Sequence, residues 1–368
     1  MRIRERDKMK VVISAGGTGG HIYPALAIIN KIKEKEPESE FLYIGTHNRM
    51  EKDIIPKYNI PFETIEIYGF YRKKVLRNFK TIKAFYNSYK KCKKLIKDFN
   101  PDVVIGVGGY VTAPVIYAAQ RLGYPTFIHE QNSIPGKCNS FLSNYASLIG
   151  VSFESTIQKF PKDKTIFTGN PCSEDAISKP ALKKSELGLS DTKKLVLIVM
   201  GSLGSSKIND YFVNSFAGFT GKDYQVLYVT GKDSYDKLKG IKVPSNVKLV
   251  PYIENMTRIM KNTDIMVTRA GASTLSEIIA LNVPSIVIPS PYVPDNHQYK
   301  NAIDLVNKDA VLMIEEKDLK GDILIRTIDE LIVDEKKLAD MKKNLNEFKI
   351  ENSATIIYNN IKELIDRK

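Results

Sequence analysis

Short apolar runs of strand length alternate with helical patterns along this chain, and the alternation happens twice. The runs are Lys10–Ser14, Glu40–Ile44, Val103–Val107, Thr126–His129 and Ser147–Val151, then Leu195–Met200, Gln225–Thr230, Val247–Pro251, Asp264–Val267 and Ser285–Ile288. Such alternation predicts parallel sheets flanked by helices. The pattern restarts after Gly169-Asn170-Pro171 and a polar stretch rich in lysine and serine that runs to Lys194, which places one domain at 1–170 and a second at 171–345. A length of 368 residues exceeds one ordinary core and suits two. The expected fold class is therefore α/β, with two Rossmann-like, doubly wound domains and a cleft between the carboxyl ends of their strands. After Lys336 the chain reads as helical, and its last piece from Ser353 spaces Ile357, Ile361, Leu364 and Ile365 as an apolar stripe that must dock on a partner surface.

Cys92, Cys138 and Cys172 are dispersed and odd in number, which argues against a disulfide framework or a zinc site and favours a reducing compartment. The charged start, Met1 to Lys10, runs straight into a strand too short for the apolar core of a signal peptide. Two longer uncharged runs, 103–120 and 278–294, are interrupted by Gly108-Gly109 and Pro114 in one and by four prolines in the other, and so read as strand, loop and helix rather than membrane spans.

The net charge of +13 is concentrated in the first 170 residues, where 27 lysines and arginines face 15 acids. Most of that excess lies between Tyr68 and Phe99, where eleven cations including Lys73, Lys80 and Lys83 accompany a single acid, Asp98. Among them Val75, Phe79, Ile82, Phe85, Tyr86 and Tyr89 recur at spacings of three and four, as on one helix face. A basic amphipathic helix with bulky apolar residues suits the surface of an anionic membrane, each cation contributing on the order of 1 kcal/mol. The alternative is a core-facing helix with a solvated lysine face. None of the usual nucleic-acid motifs accompanies the patch, so nucleic acid is not expected as a partner.

Between the first strand and a candidate helix lies Gly16-Gly17-Thr18-Gly19-Gly20-His21, whose glycines bare backbone N–H groups at a helix N-terminus, a place suited to an anion. The histidine adds a nitrogen able to move a proton near neutral pH. A second loop, Gly106-Val107-Gly108-Gly109-Tyr110, follows the strand at 103 and can form the other wall of one anion pocket, the alternative for either loop being glycines that serve only a tight turn. Neither loop has the spacing of a dinucleotide fingerprint or a P-loop, so hydride transfer and nucleotide hydrolysis lose support. At a third strand end His129-Glu130-Gln131-Asn132 groups four polar side chains, although a buried, satisfied histidine is the common alternative there. His47 lacks such company and reads as structural or surface.

In the second half Gly201-Ser202-Leu203-Gly204 follows one strand, and Gly271-Ala272-Ser273-Thr274-Leu275-Ser276-Glu277 follows another. A carboxylate in the early turns of a helix can accept two hydrogen bonds from a ribose diol while the helix N-terminus faces a diphosphate. Glu277 can equally be a first-turn acid offsetting the helix dipole. The segment Pro294–Asn301, with His297 and Gln298, offers donors and acceptors for sugar hydroxyls. No Asp-x-Asp occurs, so a metal-bridged nucleotide is not indicated.

Taken in order, Gly-Gly-Thr-Gly-Gly-His, Gly-Gly-Tyr-Val, His-Glu-Gln-Asn, Gly-Asn-Pro, Gly-Ser-x-Gly, Gly-Ala-x-Thr-x-Ser-Glu and His-Gln-x-x-Asn-Ala resemble the MurG family. These bacterial glycosyltransferases add N-acetylglucosamine (GlcNAc) to undecaprenyl-diphosphate-linked muramoyl-pentapeptide, lipid I, to give lipid II. The resemblance implies the GT-B glycosyltransferase fold, with the acceptor lipid on the first domain and UDP-GlcNAc mainly on the second. It also implies a final segment, 346–368, that returns to the first domain.

Carried over by motif, Thr18, Gly19, Gly20 and Asn132 reach the donor sugar, Ser202 its phosphates and Ile253 the uracil. Ala272, Ser273, Thr274, Leu275 and Ser276 serve sugar and phosphates, Glu277 the ribose and Gln298 the GlcNAc hydroxyls. His21 is the expected base for the muramoyl hydroxyl, with Glu130 its catalytic companion. Gly16, Gly17, Gly108, Gly109 and Tyr110 hold the acceptor diphosphate, and Val75, Phe79, Ile82, Lys73, Lys80 and Lys83 face the membrane. No metal and no cofactor are implied, and the place of work is the inner face of the cytoplasmic membrane, peripherally bound.

Two departures stand out. Family members often carry an arginine after Gly-Asn-Pro, where this chain has Cys172-Ser173, and often a glutamine where it has Leu203. The rival readings are a related transferase acting on another membrane lipid such as diacylglycerol, a non-catalytic nucleotide-sugar or lipid-carrier binding module, and a soluble epimerase, for which the basic aromatic segment has no use.

Overall fold

The computed structural model describes residues 8–69, 75–200 and 206–367. The chain divides into two compact units, one made of Met1–Cys172 with Asn352–Lys368 and the other of Ser173–Glu351. The sequence pattern predicts these divisions at 171 and 346.

The first unit is built on seven parallel strands: β1 (Lys10–Ser14), β2 (Glu40–Thr46), β3 (Phe62–Ile65), β4 (Val103–Gly106), β5 (Thr126–Glu130), β6 (Leu148–Val151) and β7 (Thr165–Phe167). Their order is β3-β2-β1-β4-β5-β6-β7, so the direction of winding reverses between β1 and β4. Ser14 lies opposite Gly106 in the register of that pair, and the loops that follow therefore leave the sheet side by side. In an open α/β sheet this switch point is where ligands bind.

The second unit repeats the plan with β8 (Leu195–Val199), β9 (Gln225–Val229), β10 (Val247–Val250), β11 (Ile265–Thr268), β12 (Ser285–Val287) and β13 (Leu312–Met313), in the order β10-β9-β8-β11-β12-β13. Its switch point lies between β8 and β11, where Val199 faces Thr268. Ten of these thirteen strands correspond to apolar runs in the sequence. The other three, β3, β7 and β13, are two to four residues long and sit at sheet edges. An edge strand is buried on fewer sides and needs no continuous apolar run to hold it.

Both faces of the first sheet are covered. On one, the helix Gly19–Lys35 contributes Ile22, Ile28, Ile29 and Ile32 to a core that the final helix, Ser353–Asp366, completes with Ile357, Ile361 and Ile365. Each such side chain contributes roughly 1.5–3 kcal/mol on burial. Tyr358 and Lys362 of the same helix meet the carboxylate of Glu36, at 2.9 and 2.6 Å. On the other face the 25-residue helix Val75–Phe99 buries Thr81, Ala84, Ser88, Cys92 and Ile96, mostly small residues that let it lie close against the helix Thr112–Arg121. Among the described residues no helix is long and apolar enough to cross a membrane.

Candidate active site

The first glycine loop joins β1 to the helix Gly19–Lys35 at the switch point. Thr18 takes the N-cap position in an extended conformation without capping the helix through its side chain, and no acid stands in the first turn. The leading N–H groups of such a helix have no intrahelical acceptor, and with the helix dipole they favour an anion.

Not every amide of the loop faces that way. Gly16 N–H donates to Gly108 O at 3.2 Å, binding the two glycine loops together, and Gly17 N–H donates to Oε2 of Glu51 at 3.0 Å. The expectation that Gly16 and Gly17 hold a diphosphate is corrected for their N–H groups, which are consumed by the protein. Thr18, Gly19 and Gly20 stand at the helix start itself. Gly17 adopts φ +93°, a conformation natural to glycine.

His21 lies on the first turn of this helix, half-buried. Its Nδ1 is 3.1 Å from the carbonyl oxygen of Gly16, an atom that can only accept, so Nδ1 carries the proton and the lone pair of the neutral ring is at Nε2. The ring packs directly on Gly108, where a Cβ would come within 2.5 Å of Cδ2. The second glycine loop thus seats the histidine. Beside it Tyr110 is about half exposed and lies against Gly69.

At the end of β5 the cluster 129–132 separates into structural and accessible parts. His129 is fully buried, with Nε2 3.0 Å from Gly169 O and Nδ1 3.0 Å from the Gln131 amide. Burial pushes it down to about 4, against the opposing effect of the Gly169 hydrogen bond, so it is a neutral core residue. Glu130 is 2% exposed and accepts four hydrogen bonds, from Asn132 N–H and Nδ2, Gly136 N–H and Asn139 Nδ2. With both oxygens engaged at 2.9–3.1 Å, it shapes the loop and holds Asn132, which is itself half-buried.

In the second unit β11 leads into the helix Ala272–Leu281, whose N-cap is Gly271 and whose first turn is again free of acid. Glu277 is the sixth residue of this helix, which removes the first-turn explanation for it. Its surroundings push the carboxyl up to about 8, burial raising it, Lys179 lowering it and Asp175 adding to the rise. Two neighbours expected to touch a ligand are engaged within the unit. The Leu275 side chain is buried in the core and its N–H donates to Gly271 O, while the Ser276 hydroxyl turns back to Ala272 O. Ser273 and Thr274 remain partly accessible, and Ala272 is buried.

The Ile253 side chain also belongs to the core, so only its backbone can meet a base. After β12, Gln298 accepts Ser290 N–H through Oε1 at 2.8 Å, which directs the donor end of its amide to other partners. Ser202, Leu203 and Lys73 lie outside the described residues, as does the side chain of Val75.

Glu51 carries no signal in the sequence. Fully buried, it accepts from Gly17 N–H and, through Oε1, from Thr46 N–H at 3.0 Å and Thr46 Oγ at 2.6 Å. A carboxylate followed three residues later by the isoleucines of a short helix looks like surface; only the partner 34 residues earlier reveals it.

Two parallel-sheet units, each with a helix start free of acid at its switch point, make the two-Rossmann architecture that glycosyltransferases use. The family models agree: the glycosyltransferase family 28 N-terminal domain matches residues 11–151 and the family 28 C-terminal domain matches residues 195–356. The chain is 48% identical over 364 residues to UDP-N-acetylglucosamine--N-acetylmuramyl-(pentapeptide) pyrophosphoryl-undecaprenol N-acetylglucosamine transferase 1 of Bacillus cereus, covering 98% of this chain and all of that one. The transferase of Bacillus pumilus is 45% identical, covering 97% of this chain and 99% of its own. Among solved structures, the MurG of Acinetobacter baumannii superposes with a TM-score of 0.73 at 26% identity, covering 96% of this chain and 99% of that one. The chain belongs to the MurG family of N-acetylglucosamine transferases. A Staphylococcus aureus MnaA–UDP structure, at 14% identity and a TM-score of 0.69 over 97% of each chain, shares the fold alone.

Proposed function

We propose that this glycosyltransferase moves GlcNAc from UDP-GlcNAc to the muramoyl hydroxyl of undecaprenyl-diphosphate-muramoyl-pentapeptide, with His21 as the base. The activity is the one named for relatives 48% identical over the whole chain. The observation that carries the residue assignment is the His21 tautomer: Nδ1–H is tied to Gly16 O, which leaves the basic lone pair at Nε2.

In the reaction the acceptor oxygen attacks the anomeric carbon from the face opposite the diphosphate, which inverts the configuration. Nε2 takes the hydroxyl proton as the new C–O bond forms, and UDP departs with the electron pair of the broken C–O bond. The transition state is oxocarbenium-like, and charge grows on the leaving diphosphate. Amides at the start of the helix Ala272–Leu281, with Ser273 and Thr274, are disposed to meet that charge, in the manner of other preorganised electrostatic sites. Glu277 accepts from the ribose diol, the Ile253 backbone faces the uracil, and Gln298 donates to the sugar hydroxyls. Ser202 takes a donor phosphate. On the first unit, amides of Thr18, Gly19 and Gly20, with Asn132, serve the reacting groups, while Gly108, Gly109 and Tyr110 line the acceptor diphosphate.

The acceptor is membrane-borne, and the helix Val75–Phe99 supplies a surface for that membrane. Phe79 is 67% exposed, and Ile82 and Tyr86 are each 54% exposed, with Lys80, Lys83 and Lys90 exposed around them. The same helix has a separate buried face, so the aromatic stripe is not needed for the core. We place the enzyme peripherally on the anionic inner face of the cytoplasmic membrane.

The direct test is transfer of labelled GlcNAc to a lipid I analogue without added metal, with UDP-glucose or UDP-galactose and diacylglycerol as the competing pair. Transfer only to diacylglycerol would replace the acceptor assignment, and binding of UDP-GlcNAc without turnover would reduce the chain to a binding module. His21→Ala is expected to bind UDP-GlcNAc normally and lose about 10²–10⁴ in kcat; undiminished turnover removes His21 from the chemistry.

A further inference from the structure

Glu51 and His21 sit on opposite sides of one peptide group. The Gly16–Gly17 peptide is trans, so its C=O and N–H point in opposite directions. Its C=O accepts from His21 Nδ1 at 3.1 Å, and its N–H donates to Glu51 Oε2 at 3.0 Å. The result is a line of carboxylate, peptide and imidazole. Directly hydrogen-bonded carboxylate–histidine pairs fix the histidine tautomer and steady the imidazolium that forms during catalysis; here a peptide is interposed.

We propose that Glu51 is the positioning residue of the catalytic histidine, acting through the Gly16–Gly17 peptide. This rests on the reading of His21 as the base. Two effects follow from the geometry. The first is orientation. Gly17 is at φ +93°, in a loop of glycines that has many alternative conformations, and a hydrogen bond to a fully buried carboxylate selects the one that points Gly16 O at Nδ1. Glu51 is itself held by Thr46 N–H and Oγ at Oε1, while Tyr43 OH donates to Ala15 O at 2.9 Å one residue before the peptide.

The second effect is polarisation. A negatively charged acceptor on the N–H pulls density toward Gly16 O and strengthens its hold on Nδ1–H, as hydrogen bonds in series reinforce one another at low dielectric. That hold is worth more once the ring is an imidazolium. No proton travels along the line: Nδ1 keeps its own, and the proton of the acceptor hydroxyl arrives at Nε2. Glu51 touches no substrate in this account. Its presence also explains why a carboxylate is tolerated behind a loop that serves anions, since its oxygens are occupied by three inward-facing donors.

The test is the Glu51→Gln variant, read by turnover and by the ¹⁵N spectrum of His21, assigned with His21→Asn. Glutamine has one acceptor oxygen where the carboxylate has two, so either Gly17 N–H or Thr46 loses its partner. Expected is a fall in kcat of roughly ten- to hundred-fold. The KM for UDP-GlcNAc should stay within about twofold, and the neutral His21 ring should shift from the Nδ1–H toward the Nε2–H tautomer.

A merely structural role would move neither the tautomer nor kcat selectively while the fold persists. Should the variant fail to fold, the wild-type enzyme still decides: its neutral His21 must carry the proton on Nδ1, and the Gly17 amide must be protected from exchange. A wild-type proton on Nε2, an unprotected Gly17 amide, or an unchanged kcat in Glu51→Gln overturns the proposal. Turnover that survives His21→Ala instead overturns the base reading, and with it the catalytic use of the line.

Discussion

At the scale of single residues, the site is made as much by what faces inward as by what faces a ligand. Gly16 and Gly17 spend their N–H groups on Gly108 and Glu51, and Glu130 spends both oxygens on its own loop. Glu277 differs, because its surroundings raise its carboxyl to about 8. The folded state then binds a proton more tightly than the unfolded chain between about pH 4.5 and 8, so stability falls as pH rises across that interval. Glu277→Gln removes the dependence. The melting temperature of the variant should gain on that of the wild-type enzyme between about pH 5 and pH 9 in thermal scans, and a constant difference across that span would refute it. With the proposed ribose contact, the same variant should bind UDP more weakly above about pH 8, where the wild-type carboxylate is ionised and offers two acceptors.

At the scale of elements, the helix Val75–Phe99 has two independent faces. Thr81, Ala84, Ser88, Cys92 and Ile96 seat it, and Phe79, Ile82 and Tyr86 with Lys80, Lys83 and Lys90 face out. Its neighbours add Tyr117, whose ring meets Phe85 at 6.3 Å and Tyr89 at 5.5 Å, and Phe141 and Tyr145, which pack on Tyr117 at 6.3 and 5.0 Å. Reversing Lys80, Lys83 and Lys90 to glutamate should weaken binding to anionic vesicles by about 3 kcal/mol or more, roughly a hundredfold, without changing activity on a detergent-solubilised acceptor. Sedimentation with phosphatidylglycerol vesicles checks it, and equal binding would return the helix to a solvated lysine face.

Across these elements the sequence was legible where physics is local. Buried parallel strands such as β1 and β8 need continuous apolar runs, and bare helix starts need small residues, so both could be read directly. Glu51 and the side-chain directions of Leu275 and Ser276 could not, because each is decided by contacts made only after folding.

At the scale of the whole molecule, the first unit is discontinuous. Its final helix supplies Ile357, Ile361 and Ile365 to the core beneath the helix that carries His21. Removing residues 352–368 strips out roughly 5–9 kcal/mol of burial as an upper bound, comparable with the stability of an entire domain. Calorimetry of that truncated chain should show the transition of residues 173–351 retained and that of the first unit lost; two intact transitions would show that the helix is dispensable. The chain crosses from one unit to the other at 172–173 and back at 351–352, so neither crossing interrupts a strand.

That returning helix also sets the timetable of synthesis. Domains generally fold as they emerge from the ribosome, earlier ones first. Here the earlier unit has to wait: residues 173–351 are made and can fold while the groove awaiting Ile357, Ile361 and Ile365 stays open. The half that carries His21 and the helix Val75–Phe99 thus completes its core only after residues 173–351 have been made.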